Sequence, residues 1–238
     1  MERITTGVEG LDEKMEGGLV AGSINLVAGK TGTGKTQFSS SFLYAGALNK
    51  EPGVYITTEE REQDIKNDIY HMFGWDLQKL EDARLLKFAS IKPIFPDKPI
   101  SDEINRVTRA YITNVSNTVS NTVRTTRAKR LVIDSVSILE MFIQDPYLAR
   151  VALMGLTEHL RALGVTTVLT GEVSETSEGL SGSGIIEYLV DTVIRLDFVP
   201  VSEEFKRTVT IRKMRRTDHS TLIHPFEITK KGIRIVKF

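Results

Sequence analysis

The chain has 238 residues, and its 31 lysines and arginines balance 31 aspartates and glutamates, so no long-range field draws it to nucleic acid or an anionic membrane. It has no cysteine, which excludes disulfides and thiolate metal sites, and its four histidines (His71, His159, His219, His224) are too scattered for a cluster; no structural metal is expected. The N-terminal residues carry no basic segment followed by an apolar core, no run approaches the roughly 20 apolar residues of a membrane span, and a cytoplasmic location is expected.

Residues 23–28 (SINLVA) read as a short buried strand that runs into a glycine-rich turn, with a helix over 35–48. Runs rich in apolar and β-branched residues at 54–57, 85–88, 131–134 and 165–170 alternate with helical segments near 61–73, 101–126 and 146–163. Such alternation predicts an α/β fold with a mostly parallel sheet covered on both faces. The Ser/Thr/Asn-rich stretch 113–126 carries Val115, Val119 and Val123 at helical spacing, which makes it one amphipathic helix. After Asp191 the strands come close together, at 192–198, 208–214, 221–228 and 233–236, with a turn signal at Lys230-Lys-Gly232, and predict an antiparallel extension. There is no second hydrophobic repeat and no long linker, so residues 1–238 are read as one domain.

The turn after the first strand, Gly29-Lys30-Thr31-Gly32-Thr33-Gly34-Lys35-Thr36, fits the Walker A pattern G-x-x-x-x-G-K-S/T between a strand and a helix, where that pattern has to lie. Its glycines allow positive φ, and backbone N–H groups close around phosphate oxygens at a helix N-terminus. Lys35 is then placed to reach the β and γ phosphates and the Thr36 hydroxyl to bind Mg²⁺. Average residue usage produces the pattern in a chain this long on the order of one time in a hundred. Asp134, after the apolar run Leu131-Val-Ile, is the candidate Walker B carboxylate that orients magnesium. Strand 54–57 leads into Glu59-Glu60, which can polarise or deprotonate the attacking water, or can simply be the acidic first turn of the next helix.

With these residues the sequence resembles the KaiC family of the RecA superfamily over nearly its whole length. Ile4-Thr-Thr-Gly7-Val-Glu-Gly10-Leu-Asp12, Gly17-Gly18-Leu19 and Gly22 are similar to the family's segment before Walker A, and Glu59 and Glu60 match its tandem catalytic glutamates. Lys213-Met-Arg215-Arg-Thr217-Asp-His219 resembles the K-x-R-x-T-x-H element that reaches across a subunit boundary to the neighbour's ATP, and Gly184 to Asp191 resembles the segment before it. The resemblance implies a RecA-like P-loop fold, ATP and Mg²⁺ as ligands, a hexameric ring with shared sites, and action through an unidentified protein partner. Read as an extended strand, 213–219 projects Lys213, Arg215, Thr217 and His219 from one face, two cations and two hydrogen-bonding groups that could act as arginine fingers do; a basic edge strand that resists aggregation is the other reading. A heterologous contact of this kind closes into a ring. The clock protein has two such domains, the second with adjacent phosphorylated Ser and Thr; the matching positions here are Glu187 and Tyr188, so no autophosphorylation is expected.

Two other functions compete. A recombination or repair protein would hold DNA with basic loops, yet neither 136–149 nor 171–194 contains a lysine or arginine, and 171–184 carries glutamates; the cluster Arg124, Arg127, Lys129, Arg130 sits at a helix end that favours cations anyway. An ATP-dependent switch with little turnover is disfavoured by Glu59 and Glu60. Guanine is disfavoured because Asn49-Lys50-Glu51-Pro52 lacks the aspartate of N-K-x-D. Thr170 or Glu172 could sense the γ-phosphate, although ending a strand accounts for either, and the glycines of 171–184 make that segment a candidate for mobility.

Overall fold

A computed structural model of the chain describes residues 1–92, 101–137, 146–173 and 184–237, the side chains of 101–105 apart. One sheet dominates. The short strands β1 (Arg3–Ile4) and β2 (Leu19–Val20) pair with each other and flank a 3₁₀ turn at Asp12–Met15. Then follow β3 (Ile24–Gly29), α1 (Lys35–Leu48), β4 (Gly53–Thr57), α2 (Glu62–Phe73), α3 (Leu77–Asp82), β5 (Leu86–Ser90), α4 (Ser101–Thr126), β6 (Arg130–Asp134), α5 (Pro146–Leu163), β7 (Thr166–Glu172), α6 (Ile186–Leu189), β8 (Thr192–Val201), β9 (Glu204–Met214), β10 (His224–Thr229) and β11 (Gly232–Ile235). The nine strands β3 to β11 lie in the order β11-β10-β9-β8-β3-β7-β6-β4-β5.

Parallel pairing runs from β8 through β3, β7, β6 and β4 to β5, and antiparallel pairing from β8 to β11. The expected mixed sheet is present, with one refinement: β8 is antiparallel to β9 but parallel to β3, so it joins the two parts and does not simply begin the antiparallel one. Each central strand deals alternate side chains to two cores. Val27, Tyr55, Val132, Val168 and Ile194 meet Phe38 and Phe42 of α1 on one face. Leu26, Ile56, Ile133 and Leu169 meet α4 and α5 on the other, where Tyr111, Val115, Val119 and Val123 form the buried stripe that the helical spacing predicts. The helices α3 and α6 and the β1–β2 pair, short elements with weak periodicity, escape the sequence reading. The entry segment earns its residue types locally, because Asp12 accepts from the Thr6 amide at 2.9 Å and from the Thr5 and Thr6 hydroxyls, both at 2.6 Å.

Arg130 is not part of a surface cluster. It is only 1% exposed. Its guanidinium donates to Glu51 Oε2 at 2.9 and 2.7 Å, to the Thr5 carbonyl at 2.7 Å and to the Phe42 carbonyl at 2.8 Å. It ties the entry segment, α1 and β6 together, which removes one cation from the basic patch at 124–130 that a nucleic-acid contact would use. Arg130→Met keeps the apolar stem and strips the guanidinium from one buried carbonyl, one part-buried carbonyl and a carboxylate, so urea unfolding should show a loss of about 3 kcal/mol. A loss under about 1 kcal/mol would mean that water takes over these groups.

Candidate nucleotide site

The candidate site is built on the carboxyl end of β3. Gly29 closes the strand where a Cβ would lie 2.6 Å from both the Leu196 carbonyl oxygen and Thr33 Oγ1, and Gly34 caps α1 at φ +108, a conformation that only glycine takes readily. Buried Thr33 braces the loop by donating to the Lys30 carbonyl at 2.7 Å. Lys35 Nζ donates to the carbonyls of Gly29 (2.9 Å) and Lys30 (3.1 Å) and lies 3.6 Å from Glu172 Oε1. Thr31 and Gly32 stand exposed at the loop's tip.

Across the cleft, β6 brings Asp134 to the loop, where its Oδ2 accepts the Thr36 hydroxyl at 3.1 Å. Tyr55 donates to the same oxygen, and Thr170 donates to Oδ1. Thr58 fixes the turn beyond β4: its amide donates to the Asp134 carbonyl at 2.9 Å, and its hydroxyl links to the Ser135 backbone at 2.9 and 3.0 Å. The turn then presents Glu59 and Glu60 differently. Glu59 accepts the Ser135 hydroxyl at 2.5 Å, while Glu60 is anchored only through its backbone carbonyl, which accepts Thr57 Oγ1 at 2.8 Å. Partial burial of the Glu60 carboxyl, and after it the charge of Asp134 and then of Asp68, Glu59 and Asp64, holds its pKa above the ordinary carboxylate range.

These groups surround a cleft of about 220 Å³. Among its described lining residues Lys35 is the only cation, facing Glu59, Glu60, Asp134 and Glu172. A hydroxyl and a carboxylate 3.1 Å apart are hard oxygen donors of the kind Mg²⁺ prefers, and no group of three or more His, Asp or Glu among the described residues could hold a metal without help from the nucleotide.

The structure does not bring the Lys213 element together as an extended strand would. β9 ends at Met214, and Arg216, at φ +61, turns the chain, so Lys213, Arg215, Thr217 and His219 do not share one face. Lys213 Nζ donates to the carbonyls of Glu187 (2.9 Å) and Val190 (2.7 Å), and burial first, then the charge of Arg215, lowers its pKa. Arg215 donates to the Tyr188 carbonyl at 3.3 Å and lies 3.7 Å from Asp191. Thr217 accepts from Arg3 at 2.9 Å, and His219 Nδ1 is 3.1 Å from the Ser220 carbonyl. Register places the element far from its own 29–36 loop. Lys213 is opposite Val193, and Val193 is level with Leu26, three residues before Gly29, a rise of about 10 Å.

A family model described as "ATPase: KaiC" matches residues 4–238. The chain belongs to the KaiC-type ATPase family. It is similar to a "UPF0273 protein" of Thermotoga maritima, 37% identical with 99% of this chain and 96% of the relative covered. It is also similar to the circadian clock oscillator protein KaiC of Prochlorococcus marinus, 34% identical over 98% of this chain but 45% of the relative, so the chain spans about half of that clock protein. Among solved structures it resembles a KaiC-like protein of Pyrococcus horikoshii OT3, with a TM-score of 0.84, 36% identity and 99% of both chains covered.

Two residues of this KaiC-type ATPase near the loop escape the sequence reading. One is Tyr55, inconspicuous in an apolar strand. The other is Arg207, whose Nε and NH2 each stand 3.4 Å from the Gly32 carbonyl and whose guanidinium lies over the Phe198 ring, 5.1 Å from its centroid. β8 and β9 continue past the last pairing with β3, from Asp197↔Thr208 to Val201↔Glu204, and so overhang the loop. The strands expected over 192–198 and 208–214 are thus longer at their hairpin ends, reaching Val201 and starting at Glu204. Residues 138–145 and 174–183, which include most of the segment expected to be mobile, lie outside the described residues. No helix among the described residues is long and apolar enough to cross a membrane.

Proposed function

We propose that this KaiC-type ATPase binds ATP with Mg²⁺ in the cleft and hydrolyses it, and that it does so as a ring, a hexamer as the family resemblance implies, whose sites are shared between neighbours. The observation that carries the reading is the convergence of Lys35, Thr36, Asp134 and Glu60 around one cleft. The phosphate loop's amides and Lys35 hold the phosphates, and Arg207 and Phe198 border the nucleotide from the overhang. Thr36 and Asp134 would hold Mg²⁺, which when bound offsets the charge that four carboxylates and a polyphosphate bring together. Glu60, whose carboxyl favours a proton more than an ordinary one, orients the attacking water and takes its proton. Glu59, held by Ser135, keeps the turn in place.

Charge and register together support the ring. One lysine is little against the charge of the transferring phosphoryl group, and Lys213 and Arg215 sit at the wrong rim to help their own loop. Supplied by a neighbour, they complete the site, with Lys213 leaving the carbonyls of Glu187 and Val190 as the phosphate arrives. A protein partner that responds to the nucleotide state of the ring completes the proposal.

The test is ATPase rate per subunit against protein concentration, with mass followed by light scattering. Activity should rise with assembly, and Lys213→Ala should assemble while losing about tenfold in turnover, the loss of one charge-assisted bond. Mixing Lys35→Ala with Lys213→Ala subunits should restore activity, because some sites then receive both lysines. Monomers as active as rings, with mixtures no better than either variant, would overturn the shared site.

A further inference from the structure

The Asp134 carboxylate is braced from both sides of its strand. In the sheet β6 lies between β4 and β7, and each neighbour sends one buried hydroxyl to Asp134: Tyr55 from β4 to Oδ2, Thr170 from β7 to Oδ1. Tyr55 is the unexpected member. Its ring is fully buried in the core with α1, stacked on Phe88 with centroids 5.0 Å apart and planes at 14°. Phenylalanine would serve that packing equally well, and a buried phenol hydroxyl is a cost unless something needs it. Here it is spent on the oxygen that also takes the Thr36 hydroxyl.

We propose that Tyr55, together with Thr170, is a positioning residue for the metal site, holding the Asp134 carboxylate in the orientation that shares Mg²⁺ with Thr36. The inference rests on the ATP–Mg²⁺ reading above. A carboxylate at a strand end can rotate about its terminal torsion, and one already fixed loses less freedom when the ion arrives. Groups that orient a metal ligand in this way commonly set affinity by about 10–100-fold. Tyr55 is not among the residues that line the cleft, and it acts only through Asp134. Thr36 is free to turn its hydroxyl to the ion because Tyr55 and Thr170 still hold the carboxylate.

The experiment is Tyr55→Phe, which deletes one hydroxyl and keeps the stack on Phe88. Mn²⁺ replaces Mg²⁺, and its binding in the presence of ADP is read from the electron paramagnetic resonance signal of the free ion; ADP affinity is measured with a fluorescent analogue in Mn²⁺ and in EDTA. The Mn²⁺ dissociation constant should rise about tenfold, with a much smaller change in ADP affinity in EDTA. Thr170→Val should shift Mn²⁺ binding in the same direction, and it carries the test should circular dichroism show Tyr55→Phe unfolded. Unchanged or tighter Mn²⁺ binding, or ADP affinity lost equally with and without the metal, overturns the proposal. Wild-type protein that binds ADP without any effect of Mn²⁺ overturns the ATP–Mg²⁺ reading itself, a result distinct from a wild-type effect that Tyr55→Phe leaves intact.

Discussion

Glu60→Gln is expected to lower ATP turnover by about 10²–10⁴-fold, the usual contribution of a positioned base. The side chain keeps its shape and its place in the turn, since the anchor there is the backbone carbonyl that accepts Thr57 Oγ1 at 2.8 Å. Only the proton acceptor is lost. Glu59→Gln should cost far less, about tenfold, because its partner, the Ser135 hydroxyl, can still donate to an amide oxygen. The pH profile separates the two. The Glu60 pKa is raised by partial burial and by Asp134, so wild-type rate should fall as pH drops through a value above the ordinary carboxylate range, and the Gln variant should lack that limb. Stability carries the opposite sign. A carboxyl whose folded pKa is raised binds its proton more tightly in the folded state, so its charge is a cost above the folded pKa that disappears as pH falls below the unfolded one. Glu60→Gln should therefore raise Tm at neutral and alkaline pH, with the gain vanishing in acid. Phosphate release and thermal melts across pH measure both, and equal effects of Glu59→Gln and Glu60→Gln would sink the assignment.

Lys35→Ala is the second large effect, with turnover expected to fall about 10²–10³-fold, the range for removing one preorganised charge-stabilising donor. The physical reason is the balance of the cleft, where Lys35 is the only cation among the described lining residues and four carboxylates oppose it. Its ammonium rests on the carbonyls of Gly29 and Lys30 and 3.6 Å from Glu172, contacts that it would exchange for a phosphate. Removing it leaves a polyphosphate facing acidic groups, so nucleotide affinity should fall as well, and fall more at low salt, where the repulsion is less screened. Titration with a fluorescent ATP analogue at two ionic strengths reads this directly. Affinity independent of both Lys35 and salt would place the nucleotide elsewhere.

Much of the candidate site was legible because its residues lie close together in sequence. Eight consecutive residues from Gly29 to Thr36 carry the loop, and the strand before it and helix after it are read from apolar runs of a few residues. Asp134 followed from ending an apolar strand in a chain that already had such a loop. The Lys213 element was located but misread in shape: alternation along 213–219 presumes an extended chain, and a single positive φ at Arg216 breaks it. That turn depends on where β9 stops against β8, which no residue type in the segment announces.

The sequence by itself determined the fold class and pointed to the candidate phosphate loop 29–36 and the acidic residues beside it, since each depends on neighbours a few positions away. Only the tertiary structure decided the brace on Asp134, whose partners Tyr55 and Thr170 lie 79 and 36 residues off and meet it because β6 is flanked by β4 and β7. The same is true of Arg130, which reads as a surface cation until α1 and the entry segment fold over it. It also holds for the distance between Lys213 and its own loop, which is set by the register of β9 on β8 and of β8 on β3. Strand order and register bring distant residues face to face, and the energy that selects them comes from two cores packed at once, a property of the whole sheet that no short stretch of chain contains.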